Sequence, residues 1–400
     1  MQSLPYDSLA NRAACWHVLD TGSVWMKEFA SALATIVPTH NWVPEIRNFG
    51  HWERWEQESQ ASDPAVKMIG FPLQRGYARF PISELLPFAP VLVRRLLRRT
   101  KNTEEATLVL TSPFYAPVAE LWPGRIVYYL TDLTKEYAGM NAAQVVARDR
   151  RMCAVADLVC PNSQRIGDYL CREAGCAPAK VVVVPNATRA SNVLSQPLTR
   201  PANAPADIAM LPRPLVGVVG NLAGNIDWAL VADAVARSRD ITWVFVGPTS
   251  MDIPDPAQRK LRQELMQIGG RVRFVGSKPY SELSEYARAF DAALIPYLRK
   301  EPTISGSATR FYEHLAACRP ILASRAHAEL QTKEPLLKLV SSGEEIAVHL
   351  DDLRAHGFRD GYEELRWKTS RNETWQTRAE SIVAAAEARG FGVSAAQQIA

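Results

Sequence analysis

The chain has 400 residues, 47% hydrophobic and 22% charged, with a net charge of +4. That is material for about two globular cores, and the charge is too slight to mark a nucleic-acid partner without a concentrated basic stripe. The six cysteines form no C-x-x-C pair, no basic-then-apolar leader opens the sequence and no stretch approaches the ~18 apolar residues of a membrane span, so reduced thiols and a cytoplasmic protein are expected.

Short β-branched runs alternating with amphipathic stretches predict an α/β protein with parallel sheets covered by helices. The first strand is expected at Cys15 to Leu19. Thr21, Gly22 and Ser23 follow it and open a helix over Trp25 to Ala34, a place that borders a ligand in open sheets and suits a plain N-cap equally well. Trp42, Trp52 and Trp55 are read as part of a polar surface stretch around HWERWEQES. In FAPVLVRRLLRRTK, Phe88 to Lys101, a helix would set Val91, Leu92, Val93 and Leu96 beside Arg94, Arg95, Arg98, Arg99 and Lys101. Two readings stay open there: peripheral contact with an anionic membrane surface, or a helix packed on the sheet with its arginines in water.

Further strands are expected at Thr107 to Thr111, Ile126 to Leu130, Leu158 to Cys160 and Val181 to Val184, with a helix over Ala142 to Val155. The run RIVYYL leads to Thr131 and Asp132. A carboxylate at the carboxyl end of a parallel strand suits a general base that deprotonates a hydroxyl, or an ordinary cap of the next helix. Residues 188–214, dense in Pro, Ala, Asn and Ser, resemble an interdomain connection. They separate a first domain, 1–190, from a second, 213–375, with strands at Leu215 to Val219, Thr242 to Val246, Val272 to Val275, Ala292 to Ile295 and Pro320 to Ala323. A terminal helix within 376–400 either caps the second domain or crosses back to the first.

Three segments of the second domain carry chemistry. LVGVVGNLAGNIDW runs from a strand into a turn where Gly220 and Asn221 let backbone approach a ligand. RVRFVGSKPYSELSEYARAFDAALIPY places Gly276 at a strand's carboxyl end. In ISGSATRFYEHLAACRPILAS, Ser305, Gly306 and Ser307 open a helix whose amide end suits phosphate. Arg310 and Glu313 share a face of that helix, a cation for a diphosphate beside a carboxylate for ribose hydroxyls, or a surface ion pair on an ordinary helix.

Taken in order, VVGNLAGNIDW, FVGSKPYSELSEYARAFDAALIPY, RFYEHLAACRPILAS and TWQTRAESI resemble the nucleotide-sugar glycosyltransferases of GT-B fold that build bacterial cell-wall and exopolysaccharide chains. The resemblance implies two Rossmann-like domains facing each other across a cleft, with the donor on the second and the acceptor on the first. It implies that Glu313 binds the donor ribose, that Arg310 stands near the diphosphate, that Gly220 and Asn221 face the phosphates and that residues from Gly276 to Pro279 border the base. Asp132 falls where such enzymes place an acceptor-side residue, with Thr21, Gly22 and Ser23 nearby. The acceptor would be a glycan, a lipid-linked sugar or a small molecule. Two positions depart from the family pattern: Ser305 replaces a glutamate frequent in retaining members, and no basic residue occupies the turn around Asn225.

No D-x-D occurs and the histidines show no ligand spacing, so no metal and no cofactor beyond the nucleotide-diphosphate sugar substrate are expected. Two alternatives share the fold: a sugar-nucleotide epimerase, which needs no acceptor, and a non-catalytic bilobal binding protein.

Overall fold

The apolar runs assemble, in a computed structural model that describes residues 15–19, 22–46, 68–73, 88–100, 103–251 and 253–392, into two six-stranded sheets. The chain divides into two units, Met1–Pro185 with Trp375–Ala400, and Asn186–Thr374.

The first unit runs β1 (Trp16–Leu19), α1 (Val24–Ala34), β2 (Thr39–Ile46), β3 (Met68–Leu73), α2 (Phe88–Leu97), β4 (Thr107–Leu110), α3 (Ala116–Leu121), β5 (Arg125–Tyr128), α4 (Ala142–Val155), β6 (Leu158–Val159) and α5 (Gln164–Arg172). Its strands pair in parallel in the order β3-β2-β1-β4-β5-β6. β1 and β4 are buried at every residue, as expected of central strands covered on both faces. Helix starts are fixed by side chains: Ser23, Asn141 and Ser163 accept the backbone N–H of Met26, Gln144 and Ile166.

The second unit runs β7 (Leu215–Val219), α6 (Trp228–Arg237), β8 (Thr242–Val246), α7 (Pro256–Ile268), β9 (Val272–Gly276), α8 (Leu283–Ala289), β10 (Ala292–Ile295), α9 (Thr309–Ala317), β11 (Ile321–Ser324), β12 (Lys338–Val340), α10 (Gly343–Ala355) and α11 (Glu363–Ser370). Its order, β12-β11-β10-β7-β8-β9, repeats that of the first sheet, again all parallel. The last helix, α12 (Trp375–Glu387), belongs to the first unit, where it packs on α1 and Gln376 accepts a hydrogen bond from Thr35. Each sheet therefore has one place where strand order reverses, between β1 and β4 and between β7 and β10. In doubly wound sheets, ligands sit outside the carboxyl ends of strands at that switch point.

Several sequence expectations need correction. Val181 to Val184 forms no strand; Val181 makes a single bridge to Val159, between Pro178 and Pro185. The strands β2, β3 and β12 were not anticipated: THNWVPEI and MIGFPL each contain proline, which normally marks an edge or a turn, and β12 has three residues. Trp42 is a buried residue of β2, while Trp52 and Trp55 lie outside the described residues. The 188–214 segment packs within the second unit: Thr188 and Asn192 are buried, and Trp367 donates to the carbonyl of Leu194. In α2, Leu92, Val93 and Leu96 face the core and leave Val91, 59% exposed, beside Arg94, Arg95, Arg98 and Arg99; Lys101 is outside the described residues. No described helix is long and apolar enough to cross a membrane.

Gly217 shows how closely helix and sheet meet in the second unit, since a Cβ there would lie 1.9 Å from the ring of Phe290. Gly217→Ala is expected to cost about 1–3 kcal/mol through forced repacking. Urea unfolding measures it, and a loss below about 0.5 kcal/mol contradicts the packing account.

Candidate functional site

At the switch point of the second sheet, β7 ends in Val219 and the chain turns through Gly220 and Asn221. Arg310, in the first turn of α9, holds that turn: its Nε–H donates to the Val219 carbonyl at 2.7 Å and Nη2 to the Asn221 carbonyl at 2.5 Å. With the Asn225 amide oriented so that its oxygen faces the guanidinium, Nη1 gives a third bond at 3.2 Å. The group is 8% exposed and lies over the ring of Tyr297, 5.0 Å from its centroid. Gly220 has φ 110°, and a Cβ would stand 2.9 Å from Arg310 Nε, so only glycine fits. Three of the five guanidinium N–H donors thus serve the turn, and a phosphate would share the cation with it.

Glu313 lies on the same helix, 5% exposed. Tyr280 donates its hydroxyl to Oε1 at 2.5 Å, while Asn192 and Thr188 donate to Oε2 at 3.0 and 3.3 Å. Buried carboxylates persist when hydrogen-bonded in this way. A carboxylate offers about four acceptor positions, so paired ribose hydroxyls must replace at least one donor; Tyr280 is the half-buried member of the three.

The helix end differs from expectation. α9 begins at Thr309, and an anion is already there: Glu329 accepts the Ala308 N–H at 2.6 Å, the Ser307 hydroxyl at 3.0 Å and the Tyr312 hydroxyl. Asn186 ties the same loop through the Ser307 carbonyl and the Thr309 hydroxyl, at 3.0 and 2.8 Å. Ser305 donates to Glu301 at 2.5 Å, and Gly306 between them is buried. The positive helix end is therefore satisfied by a carboxylate of the chain.

Gly276 ends β9 with φ 77° and accepts the Gly247 N–H at 2.9 Å. Gly247, at the end of β8, could not carry a Cβ, which would lie 1.8 Å from the Gly220 carbonyl oxygen. The structure thus joins Gly220, Asn221 and Arg310 in one turn and sets Glu313 on the adjoining helix. Gly276 is two strands away. Sequence reasoning missed Gly247, Tyr280, Glu329, Asn192 and Thr188; the glycine closing FVG before Pro248 was the one legible signal among them.

In the first unit, a cavity of about 210 Å³ opens at the carboxyl ends of β1, β4 and β5, lined by Ser23, Trp25, Thr111, Thr131, Asp132 and Tyr137 among others. Asp132 is half-buried, and its carboxyl pKa is pushed up to about 6 by burial, against a hydrogen bond from Tyr137 that lowers it. It caps no helix: the following turn, Thr134–Glu136, has Leu133 at its N-cap and no side-chain capping bond. Gly22 is in the turn before α1 and Ser23 caps α1, while Thr21 lies outside the described residues.

Cys15, His17 and His40 also converge, with ligand atoms within 4.8 Å of one another. His17 is committed, however. Trp42 donates to its Nδ1 at 3.0 Å, so Nε2 carries the proton and donates to Thr100 at 2.9 Å, whose own hydroxyl bonds the Leu96 carbonyl. Burial, with His40 and Arg99 nearby, lowers its pKa to about 3, consistent with a neutral core histidine.

No protein-family model matches the chain. It is similar to the putative teichuronic acid biosynthesis glycosyltransferase TuaH of Bacillus subtilis, 20% identical over 166 residues, a match spanning 40% of each chain. Among solved structures it is similar to HepE of Anabaena in complex with UDP-glucose, with a TM-score of 0.67 and 15% identity over 94% of this chain and 100% of that one. Sucrose-phosphate synthase of Thermosynechococcus elongatus aligns with a TM-score of 0.66 and 15% identity, over 94% of this chain and 99% of its own. The chain has the GT-B fold. Within the GT-B frame, the two switch points account for where the glycine turns, Glu313 and Asp132 fall.

Because Asp132 holds its proton more tightly folded than unfolded, where a value of about 3.9 applies, its ionisation opposes folding above pH about 6 and ceases to do so below about 4. Asp132→Asn is accordingly expected to melt no lower than wild type at pH 8, with any gain shrinking at pH 5. A variant that loses more stability at pH 8 than at pH 5 contradicts the burial assignment.

Proposed function

We propose that the chain is a glycosyltransferase that moves a sugar from a nucleotide-diphosphate sugar, bound by the second unit, to a hydroxyl of a glycan, lipid-linked or small-molecule acceptor. The observation that carries this reading is the placement, on one helix of a GT-B protein, of Arg310 at the Gly220–Asn221 turn and Glu313 one turn on. HepE, solved with UDP-glucose, supports a nucleotide sugar as donor.

In this reading Glu313 receives the ribose hydroxyls, exchanging the Tyr280 hydroxyl for one of them. The diphosphate lies against Gly220 and Asn221, where the remaining N–H donors of Arg310 meet its charge, and the loop Ser305–Ser307, braced by Glu301 and Glu329, borders it. Gly276 sits at the strand end beside the base. Asp132 takes the acceptor proton as the new bond forms at the anomeric carbon and the diphosphate departs. The absence of a D-x-D pair supports transfer without a metal ion.

The reading predicts separable defects. Glu313→Gln should weaken UDP binding, followed by calorimetry, by about 10- to 100-fold, the worth of a hydrogen bond to a charged group. Asp132→Asn should bind UDP as wild type does yet transfer about a hundredfold more slowly. Wild-type transfer should rise with pH through about 6 and level off, as the base ionises. Undiminished UDP affinity in the first variant, or undiminished turnover in the second, removes that residue from its role.

We also infer a peripheral, electrostatic contact of α2 with anionic membrane, since its apolar stripe is used in the core and Arg94, Arg95, Arg98 and Arg99 remain exposed. Sedimentation with phosphatidylglycerol vesicles should vanish when these four arginines are changed to glutamate and at about 0.5 M salt. Binding that survives both excludes this surface.

A further inference from the structure

The cavity beside Asp132 has a composition of its own. Beside Asp132 it is lined by the hydroxyl-bearing residues Ser23, Thr111, Ser112, Thr131, Thr134 and Tyr137, with Trp25 and Met26 as the apolar lining. Among the described lining residues there is no lysine, arginine or histidine. At about 210 Å³ it is smaller than the ~300–1,000 Å³ of pockets that enclose drug-sized ligands, a size for one ring.

Thr111 donates to the Leu19 carbonyl and Tyr137 to Asp132, while the local bonding of Ser23, Ser112 and Thr134 leaves these three suited to hydroxyl ligands. Ser23 and Ser112 accept backbone N–H groups of Met26 and Phe114, which leaves each O–H to point elsewhere. Thr134 reaches the backbone carbonyl of Asp132 at 3.4 Å, a weak bond easily exchanged. Hydroxyls give and accept alike, so a ring bearing several hydroxyl groups meets partners of both senses. Trp25 is half-buried and offers a flat apolar surface to the C–H face of such a ring. An anionic group would instead be brought against the Asp132 carboxylate in a partly desolvated site, with no described cation lining the cavity to offset the repulsion.

We propose that the acceptor presents an uncharged sugar unit to this cavity, held by Trp25 and the surrounding hydroxyls with one of its own hydroxyls on Asp132. The inference rests on the glycosyltransferase reading for its chemistry. The acceptor O–H bond breaks with its proton passing to an Asp132 oxygen, and a C–O bond forms at the donor's anomeric carbon. The bond from that carbon to the diphosphate breaks, its electron pair leaving on phosphate. Among the described residues no cation lines the cavity, so a phosphate-ended or uronic-acid-ended acceptor is expected to bind there more weakly than a neutral one.

Binding rather than turnover tests it, using the full chain at pH 8. Saturation-transfer NMR titrations compare methyl β-glucoside, methyl β-glucuronide and glucose 6-phosphate, with UDP titrated into the same samples. The neutral glycoside should bind at least about tenfold more tightly than either anion, and Asp132→Asn should close most of that gap by removing the repulsion. Trp25→Ala should weaken the glycoside about tenfold while Trp25→Phe, which keeps an aromatic face, retains most of the affinity. Equal or tighter binding of an anion, a gap unchanged in Asp132→Asn, or a glycoside indifferent to Trp25 overturns the proposal. If no glycoside binds while UDP does, the acceptor assignment fails and the donor reading stands; glycoside binding without UDP binding gives the reverse.

Discussion

The second unit is organised around a guanidinium that ties a helix to a turn. By bonding the carbonyls of Val219 and Asn221, Arg310 fixes the exit of the central strand and the start of α9 relative to each other. Gly220 has to lack a side chain for that contact to form, and Gly247 has to lack one so that Gly220 can take its place. Everything proposed for the donor follows from this arrangement, because it puts the polar face of α9, with Glu313, at the place where a doubly wound sheet opens.

Buried charge in this region is met by hydrogen bonds more than by ion pairs. Glu313 is held by Tyr280, Asn192 and Thr188, and Glu329 by a backbone amide and two hydroxyls. The donors on such carboxylates are ones that a ligand's own hydroxyls can replace one for one, which suits a site that exchanges protein partners for substrate. Asp132 has the opposite environment: burial raises its pKa toward neutrality, the condition in which a carboxylate is a useful base.

The α/β class and most central strands were legible because buried parallel strands must be continuous apolar runs, as in LVGVV, TWVFV and TLVL. Legibility failed where local chemistry contradicts the tertiary role. β2 carries Asn41 and Pro44 between two neighbours, and its pairing comes from the sheet rather than from its own propensity. Arg310, Glu313 and the Gly220 turn could be read because they sit in one local pattern each. Glu329, Asn192 and Thr188 reach the site from loops whose destination only the fold decides, and the expectation of an open amide end at α9 missed the carboxylate that fills it. For α2 the sequence left two readings open, and the structure bears out the helix packed on the sheet: Leu92, Val93 and Leu96 are used in the core and the arginines face water.

The donor assignment is tested most directly by a crystal structure of the chain with UDP. It should show ribose hydroxyls on Glu313 with the Tyr280 hydroxyl displaced from Oε1, and the diphosphate against Gly220 and Asn221. A nucleotide bound elsewhere, with the Tyr280–Glu313 hydrogen bond intact, would contradict the account.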